Sequence, residues 1–212
     1  MICEYDLLIL EDDPYYYLRL EEPLSAVPSF LEMDTHGRVL RFDSLSKIIS
    51  SGMRFGWITG PNDLLERIDL HTQAANLHPS ALTQSIVALL LENWGETGWN
   101  SHVEQVGNFY KARRDVFLKC AEKHLSKWAT WTVPSAGMFV WLHFHTVPDT
   151  SIWMSDRIVP NKVLMVPGSV FLPNGGPSSY VRAAYSTASD EEMDLALARI
   201  ATVLEEDAAE KR

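Results

Sequence analysis

The chain has 212 residues, of which 46% are hydrophobic and 22% charged, and a formal net charge of −10. Those proportions are ordinary for a globular protein of one large or two small domains. The negative balance excludes a general affinity for nucleic acid or for an anionic membrane surface, so an anionic ligand must be held by local cations. Cys3 and Cys120 stand far apart, make no disulfide framework and fit a reducing compartment such as the cytoplasm. No apolar run approaches the ~18 residues of a membrane-spanning helix. The first residues lack the basic-then-apolar order of a secretory signal.

In chain order, Tyr5 to Leu10 reads as a buried strand that Glu11-Asp12-Asp13-Pro14 brings to an end. Asp13 then stands just past the carboxyl end of a strand, where open α/β sheets bind ligands, and Tyr16 follows three residues on. A loop with a short helical piece at Ser29 to Met33 leads to a strand at Val39 to Phe42. A turn crowded with hydroxyls comes next: Ser44 and Ser46 flank Lys47, and Arg54 lies seven residues beyond it. Phe55 to Thr59 is a further strand.

Helices are expected after Pro61-Asn62, with Asn62 as cap, and after His78-Pro79-Ser80, with Gly95 as a stop. A long bridging helix follows from about Trp99 to Leu125. Then come strands at Trp131 to Val133 and Met138 to Phe144, a weak helix at Thr150 to Ile158, and strands at Val163 to Val166 and Tyr180 to Tyr185. Ser189 with Glu192 forms a capping box for a last helix whose stripe is Met193, Leu197, Ile200 and Leu204. The charged tail from Glu205 is expected to fray.

Taken singly, each candidate residue has a plain structural reading. A lysine in a βα turn is ordinarily solvated, and carboxylates at a strand end are ordinarily turn residues. Arg182, inside a strand, would pair with a protein carboxylate, because an unpaired buried cation is costly. Phe139 would pack in the core. Taken together, Lys47 and Asp13 point to one ligand. A lysine amine that forms a Schiff base and an aspartate facing a pyridine nitrogen are the two marks of a pyridoxal phosphate site. Arg54 with the serine hydroxyls suits the phosphate, and a neighbouring cation favours the neutral, nucleophilic amine of Lys47. His143 and His145 alternate along a strand, but no partner at ligand spacing completes a metal site. There is no Gly-x-Ser-x-Gly elbow and no Gly-x-Gly-x-x-Gly fingerprint.

Asp13-Pro14-Tyr15-Tyr16, Ser44-Leu45-Ser46-Lys47 and Arg54-Phe55-Gly56 resemble the class I/II, fold-type I pyridoxal-phosphate aminotransferases. Leu77-His78-Pro79-Ser80, Ala136-Gly137-Met138-Phe139 and Tyr180-Val181-Arg182-Ala183 are similar to the kynurenine, 2-aminoadipate and aromatic aminotransferase branch. The resemblance implies an α/β fold: the later part of a large cofactor domain (residues 1–96), then a small carboxy-terminal α/β domain with the bridging helix (residues 97–212). It implies pyridoxal 5'-phosphate as cofactor, bound covalently through Lys47. Asp13 would pair with the ring nitrogen and Tyr16 with the ring hydroxyl. Ser44, Ser46 and Arg54 would hold the phosphate, Arg182 the substrate α-carboxylate, and Phe139 would be an active-site aromatic. The partners implied are an amino acid and a 2-oxo acid, within a homodimer. Family members are much longer, so the chain corresponds to their carboxy-terminal portion, and a mitochondrial location stays open beside the cytoplasmic one. Three other readings remain: a catalytically inactive fragment, an aminotransferase-like ligand-sensing domain of a transcription regulator, and a related lyase or synthase.

Overall fold

The structure, a computed structural model, describes residues 4–21 and 27–210. Two units divide the chain, Met1–Asn108 and Phe109–Arg212. Cys3 lies outside the described residues, and Cys120 is a buried free thiol.

In the first unit three strands form a sheet in the order β1-β2-β3. They are β1 (Ile9–Asp12), β2 (Val39–Ser44) and β3 (Gly56–Thr59). The first pair is parallel and the second antiparallel. Central β2 carries the β-branched and aliphatic residues that a doubly covered strand requires, and Val39 and Leu40 are buried. The expected strand at Tyr5 to Leu10 is corrected: β1 begins later, includes Glu11 and Asp12, and leaves Leu7, Leu8 and Leu10 at 49%, 53% and 66% exposure. The carboxylates do not end the strand, because that of Glu11 has partners. It accepts from the backbone N–H groups of Phe30 and Leu31 at 2.8 and 3.1 Å. Those bonds hold the short helical turn begun by Ser29, whose hydroxyl accepts from the Glu32 N–H.

Helix α1 (Asn62–Ala75) follows, with no fully buried side chain. Its N-cap is Pro61, not Asn62, and no side chain caps it. Helix α2 (Ala81–Leu125) is broken at Gly95, whose φ of 57° and ψ of −170° are non-helical. That backbone is open to glycine at little cost, and it turns the expected stop into a kink. The second arm therefore resumes before Trp99, takes in Gly98 and carries the chain into the second unit.

The second unit holds a wholly antiparallel sheet in the order β4-β5-β7-β6. Its strands are β4 (Ala129–Trp131), β5 (Phe139–Phe144), β6 (Val166–Pro167) and β7 (Tyr180–Ala184). Alternation divides the sheet into two faces. Val140, Leu142, Phe144, Val181 and Ala183 are buried in a core with Phe117, Ala121 and Leu125 of α2 and Leu197, Ile200 and Leu204 of α4 (Asp190–Glu210). Phe139, Trp141, His143, Tyr180 and Arg182 occupy the other face.

The strand expected at Val163 to Val166 shrinks to β6. The expected helix at Thr150 to Ile158 is α3 (Thr150–Trp153) continued by a wider π turn, Met154–Ile158. The capping box forms, with Ser189 N–H donating to Glu192 Oε2 at 2.7 Å and Glu192 N–H to Ser189 Oγ at 3.2 Å. The tail does not fray at Glu205. Asp207 accepts from Trp153 Nε1 at 2.8 Å and pairs with Arg157 at 2.9 Å, which draws the helix on to Glu210. Tyr185, fully buried, donates its hydroxyl to the Gly137 carbonyl at 2.7 Å, and burial pushes its pKa up to about 12.

Two tests follow from this packing. A Cβ on Gly168 would run into Ser178 Oγ, the Tyr180 carbonyl at 2.8 Å and Tyr180 Cβ at 2.9 Å. Gly168→Ala should therefore lower stability by about 1–3 kcal/mol, read from the urea midpoint. Asp194, bonded first to Lys123 and then to His124, has its pKa lowered from 3.8 to about 2. A carboxylate with a depressed folded-state pKa stabilises above its unfolded value and loses that contribution as pH falls through the folded one. Asp194→Asn should flatten the stability–pH curve between about pH 4 and pH 2, read from urea midpoints across that range.

Candidate active site

The first unit brings the predicted cofactor residues to one edge of its sheet. Because β1 and β2 are parallel neighbours, their carboxyl ends emerge side by side, with Asp12 in register with Phe42. Asp13 leaves the end of β1, and Ser44 closes the neighbouring strand β2. After Ser44 the chain makes one tight helical turn. The Leu45 carbonyl accepts from the N–H groups of Ile48, Ile49 and Ser50, and Leu45 and Ile48 are buried. Lys47 stands between those two anchors, half-buried, with Nζ 5.8 Å from the centroid of the Tyr15 ring. Ser44 Oγ accepts from the Ser46 N–H at 3.2 Å, which leaves the Ser44 hydroxyl proton available to donate. Arg54 is exposed in the left-handed region (φ 52°); one of its N–H groups donates to the Ser51 carbonyl at 3.1 Å, and it forms no ion pair among the described residues.

Three groups shape this edge without having stood out in the sequence. Arg41 is 5% exposed and donates to both carboxylate oxygens of Asp43 through Nε at 3.1 and 3.0 Å, and again through Nη2 at 3.0 Å. Its Nη1 lies 3.1 Å from Glu11 Oε1, close enough for an ion pair but not aligned for a hydrogen bond. Glu11 is the register partner of Arg41 across the parallel pair. Burial alone would lower the Arg41 pKa; the bonds to Asp43 and the charge of Glu11 outweigh it and raise the value. The Tyr16 ring lies against the Arg41 guanidinium at 4.3 Å. Tyr17 beside it has its pKa raised by burial and then by the Asp43 charge. Finally, His102 Nε2 on α2 donates to the Ile48 carbonyl at 2.7 Å and pins the end of the Lys47 turn. An arginine and an aspartate two apart in a strand share a face, and that spacing was the available signal. His102 had none, since its partner is a backbone atom 54 residues away.

Arg182 lies in the second unit, on the outer face of β7. Its Nε is buried without a hydrogen-bond partner, and no ion pair forms at Arg182 among the described residues. The protein carboxylate expected of a structural arginine is not there. Instead the guanidinium carbon lies 4.2 Å from the Phe139 ring centroid and 4.9 Å from that of Phe171. Phe139 is therefore half-buried against a cation, not sunk in the core. His143 and His145 have ring centroids 5.6 Å apart, and no metal-binding group of three acidic, histidine or cysteine side chains occurs among the described residues. No helix among them is long and apolar enough to cross a membrane.

These residues match what pyridoxal phosphate requires. An amine and a carboxylate share one sheet edge, two hydroxyls and a guanidinium without an ion pair lie in the turn and the residues just after it, and a half-buried guanidinium elsewhere, whose Nε is buried without a partner, suits a carboxylate.

No protein-family model matches the chain. It is 46% identical over 204 residues to the mitochondrial kynurenine/alpha-aminoadipate aminotransferase of Rattus norvegicus, a match that takes in 96% of this chain and 48% of that protein. It is 38% identical over 208 residues to the aminotransferase tdiD of Emericella nidulans, with 95% and 48% covered. Its fold superposes on LysN, the alpha-aminoadipate aminotransferase of Thermus thermophilus solved with N-(5'-phosphopyridoxyl)-L-leucine. There the TM-score is 0.89 at 27% identity over 99% of this chain and 53% of that one. The chain thus spans about half the length of the relatives it matches, and within that span it belongs to the fold-type I pyridoxal-phosphate aminotransferases, in the kynurenine, aminoadipate and aromatic aminotransferase branch.

Proposed function

We propose that this chain is the carboxy-terminal portion of an aminotransferase that exchanges the amino group of kynurenine, 2-aminoadipate or an aromatic amino acid with a 2-oxo acid. The observation that supports the reading is the parallel pairing of β1 and β2, with Asp13 following the end of β1 and Lys47 in the turn that follows β2. The name of the rat relative supports the kynurenine and 2-aminoadipate part of that class.

Pyridoxal phosphate, when bound, supplies an aldehyde carbon for the amino group and a ring that stores the electron pair left at the substrate α-carbon. Lys47 Nζ would be the amine that holds the cofactor covalently. With its amine free, Lys47 would act as the base that takes the substrate α-proton and then as the acid that gives it back. Asp13 keeps a proton on the ring nitrogen. Tyr16 donates to the ring hydroxyl. Ser44, Ser46 and Arg54 neutralise the phosphate with two hydroxyls and one fixed cation. Arg182 receives the substrate α-carboxylate in a two-point contact, with Phe139 against it. The buried turn under Lys47, held by Leu45, Ile48 and His102, keeps its amine from wandering.

Apolar side chains on the helices of the first unit and in the loop between them, Leu70, Leu77, Leu82, Ile86 and Leu89, are 45% exposed or more, which supports a homodimer. The rat relative is mitochondrial by name, and that supports the same compartment here.

The first test is covalent trapping. The chain is incubated with pyridoxal phosphate, reduced with borohydride and mapped by peptide mass. The pyridoxyl group should fall on Lys47 well ahead of every other lysine, and Lys47→Ala should abolish that preference; equal labelling of all lysines would remove Lys47 from the site. A second test is Arg54→Gln, which should weaken cofactor affinity about tenfold or more, as expected for loss of one charge-assisted phosphate contact.

A further inference from the structure

The proposed carboxylate clamp does not stand alone, and the way it is held points beyond the residues already assigned. Arg182 sits mid-strand on β7, with Trp141 of β5 opposite it on one side and Val166 of β6 on the other. Directly after β6 the chain makes a 3-10 turn, Gly168–Phe171. Gly168 makes this turn practicable, because it passes so close to Ser178 and Tyr180 that no Cβ fits. The turn thereby folds back over the sheet and delivers the Phe171 ring to 4.9 Å from the Arg182 guanidinium. Phe171 is held there edge-on against Trp141, with centroids 5.1 Å apart and planes at 79°. Trp141 in turn stacks on Tyr180 at 5.8 Å and 20°, and Tyr180 on His143 at 4.5 Å and 19°. One continuous row of rings thus runs along the outer face of the sheet and ends on the arginine.

We infer that Phe171 is a positioning residue for carboxylate binding: with Phe139 it forms an aromatic cradle that holds the Arg182 guanidinium in place of the missing protein carboxylate. This inference rests on the reading of Arg182 as the carboxylate clamp. The physical case is one of balance. Arg182 is half-buried, but its Nε–H is buried without a hydrogen-bond partner, and a buried cationic donor needs a compensating partner. A protein carboxylate would supply one but would compete with the substrate for the same N–H groups. Aromatic faces supply electrostatic attraction without occupying any in-plane donor, so the fork stays free for a carboxylate while its plane is fixed. Phe171 is 43% exposed, so filling core volume is not its main contribution. Any apolar side chain would cover the sheet, but only a ring presents a π face to the cation. Trp141 and Gly168 then act at one remove, as supports of Phe171.

The test uses the whole chain with two probes, 3-phenylpropionate and its carboxylate-free counterpart 3-phenylpropan-1-ol. Two quantities are read by 15N NMR: the dissociation constant, and the hydrogen-exchange rate of the Arg182 Nε–H. In the native chain 3-phenylpropionate should bind and shift the Nε–H resonance, and the alcohol should not. Phe171→Leu should weaken 3-phenylpropionate about threefold to thirtyfold, the range of one cation–π contact, and should speed Nε–H exchange. Phe171→Tyr, which keeps the ring, should restore both. Binding of 3-phenylpropionate that survives Arg182→Gln would refute the clamp itself. So would absence of binding to the native chain, and the exchange rate in Phe171→Leu would then still decide whether the ring holds the guanidinium. Binding that needs Arg182 but is unchanged in Phe171→Leu, with unchanged exchange, would refute the cradle alone.

Discussion

The parallel pairing of β1 with β2 is the constraint on which the proposed cofactor site depends. Two strands that run the same way must emerge at the same edge, so Asp13 and the Ser44–Lys47 turn become neighbours although more than thirty residues of sequence separate them. What secures the pairing is a buried charge cluster as well as hydrogen bonds. Arg41 and Asp43 share a face of β2, and Glu11 reaches across from β1. Removing one member would strand a buried charge, which costs far more than a surface ion pair is worth. The cluster therefore ties the register of the two strands to the identity of three residues just behind the active edge. Glu11 also caps the 29–33 turn through two backbone N–H groups, so the loop between the strands is drawn into the same arrangement.

The two units differ in how far each satisfies itself. In the second, strand alternation fills a core with Val140, Leu142, Phe144 and Val181, and the last helix is closed by a capping box at one end and by Arg157 near the other. In the first, β1 leaves Leu7, Leu8 and Leu10 in solvent, and α1 has no fully buried side chain. An apolar surface of that kind is normally covered. The chain spans about half the length of the relatives it matches.

Much of the architecture was legible in the sequence because local physics determined it. The stripe from Met193 to Leu204 and the Ser189–Glu192 box announced α4, and the apolar run Met138 to Phe144 announced β5. Errors arose where a long-range partner overrode a local preference. Glu11 and Asp12 resembled a strand terminator, yet Glu11 is held in the strand by Arg41 and by the 29–33 turn. Asn62 resembled a cap, but Pro61 took that position. Gly95 resembled a stop, whereas its positive φ produces only a kink. The tail beyond Glu205 resembled a frayed end until Arg157 and Trp153 supplied partners. Among site residues, the types at Lys47, Asp13 and Arg54 carried a chemical signature. Phe171 carried none, since an aromatic in a proline- and glycine-rich loop reads as exposed packing until its distance to Arg182 is known.

The central claim is that the carboxylate of Asp13 and the amine of Lys47 serve one aromatic ring. The most direct measurement is the 15N resonance of pyridoxal phosphate labelled at its ring nitrogen and bound to the chain, compared between the native protein and Asp13→Asn. The account predicts a protonated-pyridinium shift in the native protein and a shift to the neutral-pyridine range in Asp13→Asn, with Lys47 still the site of attachment. Identical ring-nitrogen shifts in the two proteins would mean that Asp13 does not face the ring, and the account would be wrong.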